Sequence, residues 1–463
     1  MREKPDLLTE LRLVNFKGWQ DTGHIRLAPL TVFFGRNSSG KTSLLQALLM
    51  MKQTAESLDP RQVLDFGSSN SYVDLGTYRD VVWNHGLGQD IRLEFKWQAA
   101  EEIHLEIGNL VTEADKFGFS VEVGEAAALR PERLGELTVQ SMEYSIGEEG
   151  KRRVGMHRVQ SGGYELTTSG MKLTRRRGRP SITLPEPVKC YGFPEAVFNS
   201  YQNAEFLAEL SLIFDDLMSS ISYVGPLRER FHRSYQWSGS SPESVGPRGE
   251  RAIAAILAAR REKRKMGRRQ TQGRPYRSFE ENLGHWLQRL GMIDSFVVQE
   301  IAKGRDLYEL NVTVSGSDTQ VAVTDVGFGV SQVLPVLVQV FYAPSGSQVI
   351  LEQPEIHLHP AAQSELGDVL IAALRDNNVQ LIVETHSEHL LRRLQRRVAE
   401  EVVSNDEVAL YSVDTSHGAS GIQELTIDSY GNIANWPANF FGDEIGDLGA
   451  MTDAALARRA RAS

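Results

Sequence analysis

Apolar residues recur at every second position through "LRLVNFKGW" (11–19) and "HIRLAPLTVFF" (24–34), the period of a strand with one buried face. A glycine-rich turn follows. Next, "SLLQALLMMKQT" (43–54) is apolar on most faces, as a helix inside a core is. From Tyr72 to about Leu184 the chain breaks into short alternating runs with frequent glycine ("IRLEFKW", "IHLEIG", "FSVEV", "LTVQSMEYSIG"). These predict an antiparallel sheet that extends beyond the main fold. "AEFLAELSLIFDDLMSSI" (204–221) predicts a helix. Composition shifts at 239–277, where "GSSPESVGPRG" reads as loop, "ERAIAAILAARREKRKMGRR" starts as a helix and ends as a basic run, and "QTQGRPYR" breaks it. "SFEENLGHWLQRLGM" predicts another helix.

From Asp306 the rhythm becomes βαβ. The strand "LYELNVTV" is followed by a helix in "SQVLPVLVQVF", the strand "QVILE", a helix in "AAQSELGDVLIAALRDN", the strand "VQLIVET" and the helix "SEHLLRRLQRRVAEE". No internal repeat or sustained heptad pattern is present, so long coiled-coil arms are not expected. The order predicts an α/β core in two halves, 1–90 and 305–400. A β-rich and helical insertion over 91–304 divides them, and a C-terminal module covers 401–463.

Composition narrows the class. The 463 residues are 41% hydrophobic and 24% charged, which excludes wholesale disorder. A net charge of −10 argues against indiscriminate coating of nucleic acid while leaving room for a local basic site. The single cysteine, Cys190, can form no internal disulfide, as suits a reducing cytosol. "MREKPDLLTE" has no apolar signal segment, and "VLPVLVQVFY" (333–342) is about half the ~20 residues a membrane helix needs. A cytoplasmic protein with no membrane partner is expected.

The first chemical motif is "GRNSSGKT" (35–42). It fits G-x-x-x-x-G-K-[ST] and lies between a strand and a helix, as a phosphate-binding loop requires. Glycines let backbone N–H groups turn inward around phosphates, and the helix directs its positive end at them. Gly35, Asn37, Ser38, Ser39, Gly40, Lys41, Thr42 and Ser43 form this cradle, with Lys41 as a point charge and the Thr42 hydroxyl for Mg²⁺. ATP is the expected ligand. Glu352, ending the strand "QVILE", is a second oxygen donor for Mg²⁺. His386, ending "QLIVETHS", can touch a terminal phosphate and the attacking water. In "TDVGFGVSQVLPVL" (324–337), Gly327 and Gly329 allow close backbone approach, and the following helix can direct its N-terminus at an anion. Nothing in that element's strand order brings it near Lys41; a helix tip of this kind could instead reach the nucleotide of a second subunit, and the other reading is a plain glycine-rich connection. "EIHLH" also reads, as an alternative, as a metal set of Glu355, His357 and His359.

With these pieces in order, the chain resembles the ABC-type ATPases of the SMC/RecF-like branch, most closely ATPases of the OLD (overcoming lysogenisation defect) family. The resemblance rests on "LRLVNFKGW", "GRNSSGKTSLLQAL", "DVGFGVSQVLPVL", "ILEQPEIHLHP" and "IVETHS", and covers about 1–90 and 305–395. It implies an α/β P-loop fold, an ABC-type ATPase head with an insertion between its halves. Lys41 and Thr42 would be the Walker A pair, Glu352 the Walker B acid and His386 the switch histidine. Residues 327–332, with Gly327, Gly329 and Ser331, would act as a signature loop in trans, within a head-to-tail homodimer that closes on two ATPs. "HLHP" would touch the other subunit. The serine-glycine-glycine signature of the family is not literal here, since Ser331 follows the glycines. "DLGTYRD" (74–80) lies where a Q-loop belongs. The tail "SYGNIANWPANFFGDEIGDL" (429–448) resembles an uncharacterised module of some of these ATPases and lacks the acids of a TOPRIM nuclease.

One residue departs from the family in a way that matters. Gln353 occupies the place of the water-activating glutamate. An amide can orient water but cannot take its proton near neutral pH. Slow, partner-gated hydrolysis is therefore expected, with the ATP-closed dimer as a long-lived state; the alternative is a normal rate with Glu355 or Glu384 standing in as the base, Glu384 lying two residues before His386 so that both share a strand face. The expected role is that of a nucleotide-switched sensor in bacterial antiviral defence, with a separate effector protein. A DNA-repair or DNA-end-binding ATPase is the alternative, and a transporter subunit fits less well. The basic runs at 259–277 and 175–180 are the candidate nucleic-acid contacts, or else solvated faces.

Overall fold

The computed structural model describes residues 6–437 apart from 87, 108–109, 127–135, 149, 161, 177–182, 267–276, 303, 315, 317–318 and 417–418, together with 450–452, 454–455 and 458. Its centre is a six-stranded sheet built from β1 (Leu30–Gly35), β2 (Ser222–Val224), β3 (Gln348–Glu352), β4 (Gln380–Thr385), β5 (Val408–Ser416) and β6 (Ala419–Glu424). The spatial order is β2-β3-β4-β1-β5-β6. Neighbours run parallel except for the final β5–β6 hairpin.

The middle strands are covered on both sides, which is why they read as near-continuous apolar runs. Phe33, Ile350, Ile382, Ala409 and Tyr411 point to one face, where α1 (Lys41–Glu56) and the helix Phe206–Ser219 pack. Val32, Phe34, Leu351, Val383 and Leu410 point to the other, against α2 (Phe328–Tyr342), α3 (Pro360–Asn377) and α4 (Glu388–Ala399). Each fully buried side chain of this size contributes about 1.5–3 kcal/mol. At the strand starts, buried Gln348 and Gln380 are satisfied by backbone: Gln380 Nε2 donates to the Leu8 carbonyl at 2.7 Å, and Gln348 Nε2 to that of Asp6 at 2.6 Å. These bonds lock the N-terminal strand to the central sheet.

That strand, Leu7–Phe16, pairs with Ile91–Ile107, and antiparallel neighbours follow at Leu110–Glu125, Leu137–Ile146, Arg152–Arg158 and Tyr164–Ser169. Phe214, from the helix Phe206–Ser219, is enclosed by Phe95, Trp97, Phe119 and Tyr144; its ring centroid is 4.5 Å from that of Phe119.

The structure differs from the sequence expectations in four places. "IRLEFKW" and "IHLEIG" are one strand, because "QAAEE" contains no glycine, proline or asparagine to turn the chain; a register shift between Gln98 and Ile103 absorbs the irregularity. "LYELNVTV" lies outside the parallel sheet, in a small antiparallel one, since Leu307–Thr313 meets Ser295–Glu300 and Gln320–Ala322 through short connections. Residues 222–224, inside the range expected as insertion, supply β2 of the central sheet. Residues 408–424, inside the expected C-terminal module, supply β5 and β6. The segments 177–180 and 267–276 of the basic runs, and 438–448 of the tail, lie outside the described residues.

Candidate functional site

The phosphate loop leaves β1 at Gly35 and enters α1 after Gly40. Both glycines are demanded by geometry. Gly35 has φ 151°, and a Cβ there would lie 2.1 Å from the Val413 carbonyl oxygen; Gly40 has φ 103°, and a Cβ there would meet the side chain of Ser420. Ser38 takes φ 60°, so the loop turns sharply on itself. Trp19 Nε1 donates to the Gly40 carbonyl at 3.2 Å and props the loop from below. Asn37 and Ser38 are exposed, Ser39 is buried, and the Ser43 N–H donates to the Gly40 carbonyl at 3.1 Å.

Lys41 is 2% exposed. Its ammonium folds back, donating to the Gly35 and Arg36 carbonyls at 3.0 and 2.7 Å. Burial lowers its pKa, opposed by Glu384, Glu355 and Glu352. The Thr42 hydroxyl donates to Glu384 Oε1 at 3.0 Å, and Lys41 Nζ lies 4.0 Å from the same oxygen. Glu352 and Glu384 are register partners on β3 and β4 and point to the α1 side. Burial and the Glu352 charge push the Glu384 carboxyl up to about 7. Burial raises Glu352 as well, opposed by a hydrogen bond that Tyr223 donates to its Oε2 at 2.7 Å.

Buried polar atoms at this end of the sheet that have no hydrogen-bond partner among the described residues include Ser39 Oγ, Arg228 Nε and Nη1, Glu355 Oε2, Glu384 Oε2 and His386 Nε2. Buried polar atoms are nearly always satisfied, so a cluster of orphans marks the place of a ligand. A helix N-terminus, a lysine and a glycine-rich loop suit the phosphates. Thr42, Glu352 and Glu384 carry oxygens of the kind a hard cation takes.

Comparisons with known proteins agree. Residues 198–392 match a family described as "AAA domain, putative AbiEii toxin, Type IV TA system", and residues 7–119 match one described as "AAA ATPase domain". The protein is a P-loop ATPase. Residues 403–451 match a family described as a protein of unknown function. No curated protein matches the chain. Solved structures similar to the ATPase include the SMC head domain from Thermotoga maritima, at 12% identity and TM-score 0.39, covering 91% of this chain and 99% of that one. Another is the Smc head domain with an extended coiled coil bound to the C-terminal domain of ScpA, derived from Pyrococcus furiosus, at 11% identity and TM-score 0.44, covering 91% and 96%.

In the ATPase, Gln353 follows Glu352 in a left-handed turn, φ 45°, and its N–H donates to the Glu384 carbonyl at 2.8 Å. Glu355 is 6% exposed and accepts the His386 N–H at 2.8 Å. Burial raises its pKa, opposed by Thr385, backbone N–H groups and Arg228. His386 is half-buried. Burial and Lys41 lower its pKa, so the ring is neutral near pH 7.

Two residues here carry no sequence motif. Tyr223 ends in the hydrogen bond to Glu352, and Arg228 is 7% exposed with Nη2 donating to the carbonyls of Glu352 and Gln353, each at 3.2 Å. Burial pushes the Arg228 guanidinium down to about 10, still a cation at neutral pH. "YVGPLR" mixes aromatic and basic residues, the one signal available in the sequence, and it fits a packed surface equally well.

Gly327 caps α2, Gly329 and half-exposed neighbours border a recess with Met292, Val314 and Val321, and Ser331 is 7% exposed. None of the residues lining that recess belongs to the phosphate loop. Glu355 turns inward to His386, whereas His359 caps α3 by accepting the Ala361 N–H, so the "EIHLH" residues do not converge. Among the described residues, no three His, Cys, Asp or Glu side chains form a metal-binding group. No helix among them is long and apolar enough to cross a membrane.

Proposed function

We propose that this ATPase is a Mg²⁺-dependent, nucleotide-gated dimeric switch of the ABC type with OLD-like character, serving as the sensor subunit of a bacterial antiviral defence system whose effector is a separate protein. The observation that carries the reading is Gln353. An amide stands directly after Glu352 at the strand end, where water must be activated, while carboxylates with unpaired oxygens, Glu355 and Glu384, lie buried nearby. Such a site can bind ATP tightly and hydrolyse it slowly.

In this account Lys41 and the loop N–H groups hold the phosphates, and Thr42 and Glu352 hold Mg²⁺, which neutralises phosphate charge when bound. Gln353 orients the water, Glu355 or Glu384 takes its proton, and His386 senses the terminal phosphate. Gly327, Gly329 and Ser331 approach the nucleotide of the second subunit. The AbiEii description of the family matching 198–392 supports the defence reading.

The test is phage plating on cells carrying this gene with its neighbours, compared with the Lys41→Ala variant, alongside ATP-dependent dimerisation of the purified chain. Protection and dimerisation that both require Lys41 are expected. A monomer at saturating Mg·ATP would overturn the switch. Dimerisation without protection, together with salt-sensitive, ATP-dependent DNA binding, would favour a DNA-end-binding ATPase instead.

A further inference from the structure

Arg228 stands out among the buried charges. It reaches the site from the turn after β2, not from any nucleotide-binding motif. One nitrogen, Nη2, donates to the carbonyls of Glu352 and Gln353 and so spans the residue that takes the left-handed turn. The other two, Nε and Nη1, are buried and have no hydrogen-bond partner among the described residues. A buried cation with two idle donors is costly unless function retains it.

The carboxylate whose charge acts most on Arg228 is that of Glu355, with which it forms no ion pair. Glu355 is equally buried, its Oε1 is taken by the His386 N–H, and its Oε2 is unpartnered. Tyr223 and Glu352 act on Arg228 less than Glu355 does. Lys41 and Glu384 face Glu355 from α1 and β4.

We propose that Arg228 is a positioning residue for hydrolysis, fixing the Glu352–Gln353 turn with one nitrogen and acting through the charge of its other N–H groups on Glu355, which faces the attacking water. This rests on the ATPase reading and selects Glu355 over Glu384 as the base. In the step it serves, the water oxygen bonds to the γ-phosphorus, the proton passes to Glu355, and the bond to the bridging oxygen breaks, leaving ADP.

Single-turnover ATP hydrolysis and ATP affinity are measured on the full chain for Arg228→Met, Arg228→Lys, Glu355→Gln and the Arg228→Met/Glu355→Gln pair. Arg228→Met should slow hydrolysis by about tenfold or more with ATP affinity within about threefold. Its acidic limb should move to higher pH, because Glu355 has lost its cation. Arg228→Lys should recover part of the rate, and the double variant should be no slower than Glu355→Gln alone. Should Arg228→Met fail to fold, Arg228→Lys carries the test: a slower rate with a displaced acidic limb is expected. A wild-type rate and pH profile in Arg228→Lys, fully additive losses in the double variant, or a loss confined to ATP affinity would each overturn the proposal. Failure of the unmutated protein to hydrolyse ATP would instead strike the ATPase reading.

Discussion

The carboxylate of Glu384 should destabilise the free protein, and its amide should stabilise it. Glu384 is 2% exposed, faces Glu352 across the strand register, and has its carboxyl pushed up to about 7. From an ordinary glutamate value of 4.5 this is about 2.5 pH units, or on the order of 3 kcal/mol at about 1.4 kcal/mol per unit. The sign follows from linkage. The folded protein holds this proton more tightly than the unfolded chain, so the contribution is fully favourable below about pH 4.5 and is lost as pH rises through about 7. Glu384→Gln removes the ionisation and keeps an oxygen that can accept the Thr42 hydroxyl. At pH 8 without nucleotide the variant should therefore gain up to about 3 kcal/mol. Unfolding entropy of about 2 cal/mol/K per residue over 463 residues turns that into a melting temperature about 3 °C higher. At pH 5 the two proteins should melt together. Scanning fluorimetry across pH 5–8 measures both limbs. An equal or lower melting temperature for the variant at pH 8, or a gain that persists at pH 5, would refute the reasoning.

Other outcomes follow from the same contacts. Lys41→Ala should reduce ATP affinity by about a hundredfold or more, read by fluorescent-nucleotide titration. Gln353→Glu should speed single-turnover hydrolysis by about tenfold or more, since it restores a proton acceptor beside the water. Tyr223→Phe removes the hydrogen bond to Glu352 and should cost about 1 kcal/mol of stability, measured by urea unfolding, with ATP binding retained.

The parts of the site that were legible in sequence are those where one residue type has a backbone reason to be there. Gly35 and Gly40 need positive φ, and Lys41, Thr42 and Glu352 sit at fixed distances from strand ends, so spacing alone locates them. The parallel strands were legible because burial on both faces leaves an uninterrupted apolar run. What spacing could not reveal is which carboxylate meets Thr42. Glu384 does so through the register of β3 against β4, a pairing of residues 32 positions apart in the chain that no local pattern encodes. Tyr223 and Arg228 were hidden for a related reason. β2 is three residues long, too short for a periodic signal, and it lies in a range that reads as insertion. Likewise, the β5–β6 hairpin completes the sheet against β1 through long-range pairing, whereas its sequence follows the helix α4 like the start of a separate module.

The most direct test of the account is single-turnover ATP hydrolysis by the purified chain with Mg²⁺, with dimerisation followed in the same sample. The account predicts a stable ATP-bound dimer that forms quickly and hydrolyses slowly, dissociating only as phosphate is released. Rapid hydrolysis, or hydrolysis by a chain that stays monomeric throughout, would contradict it.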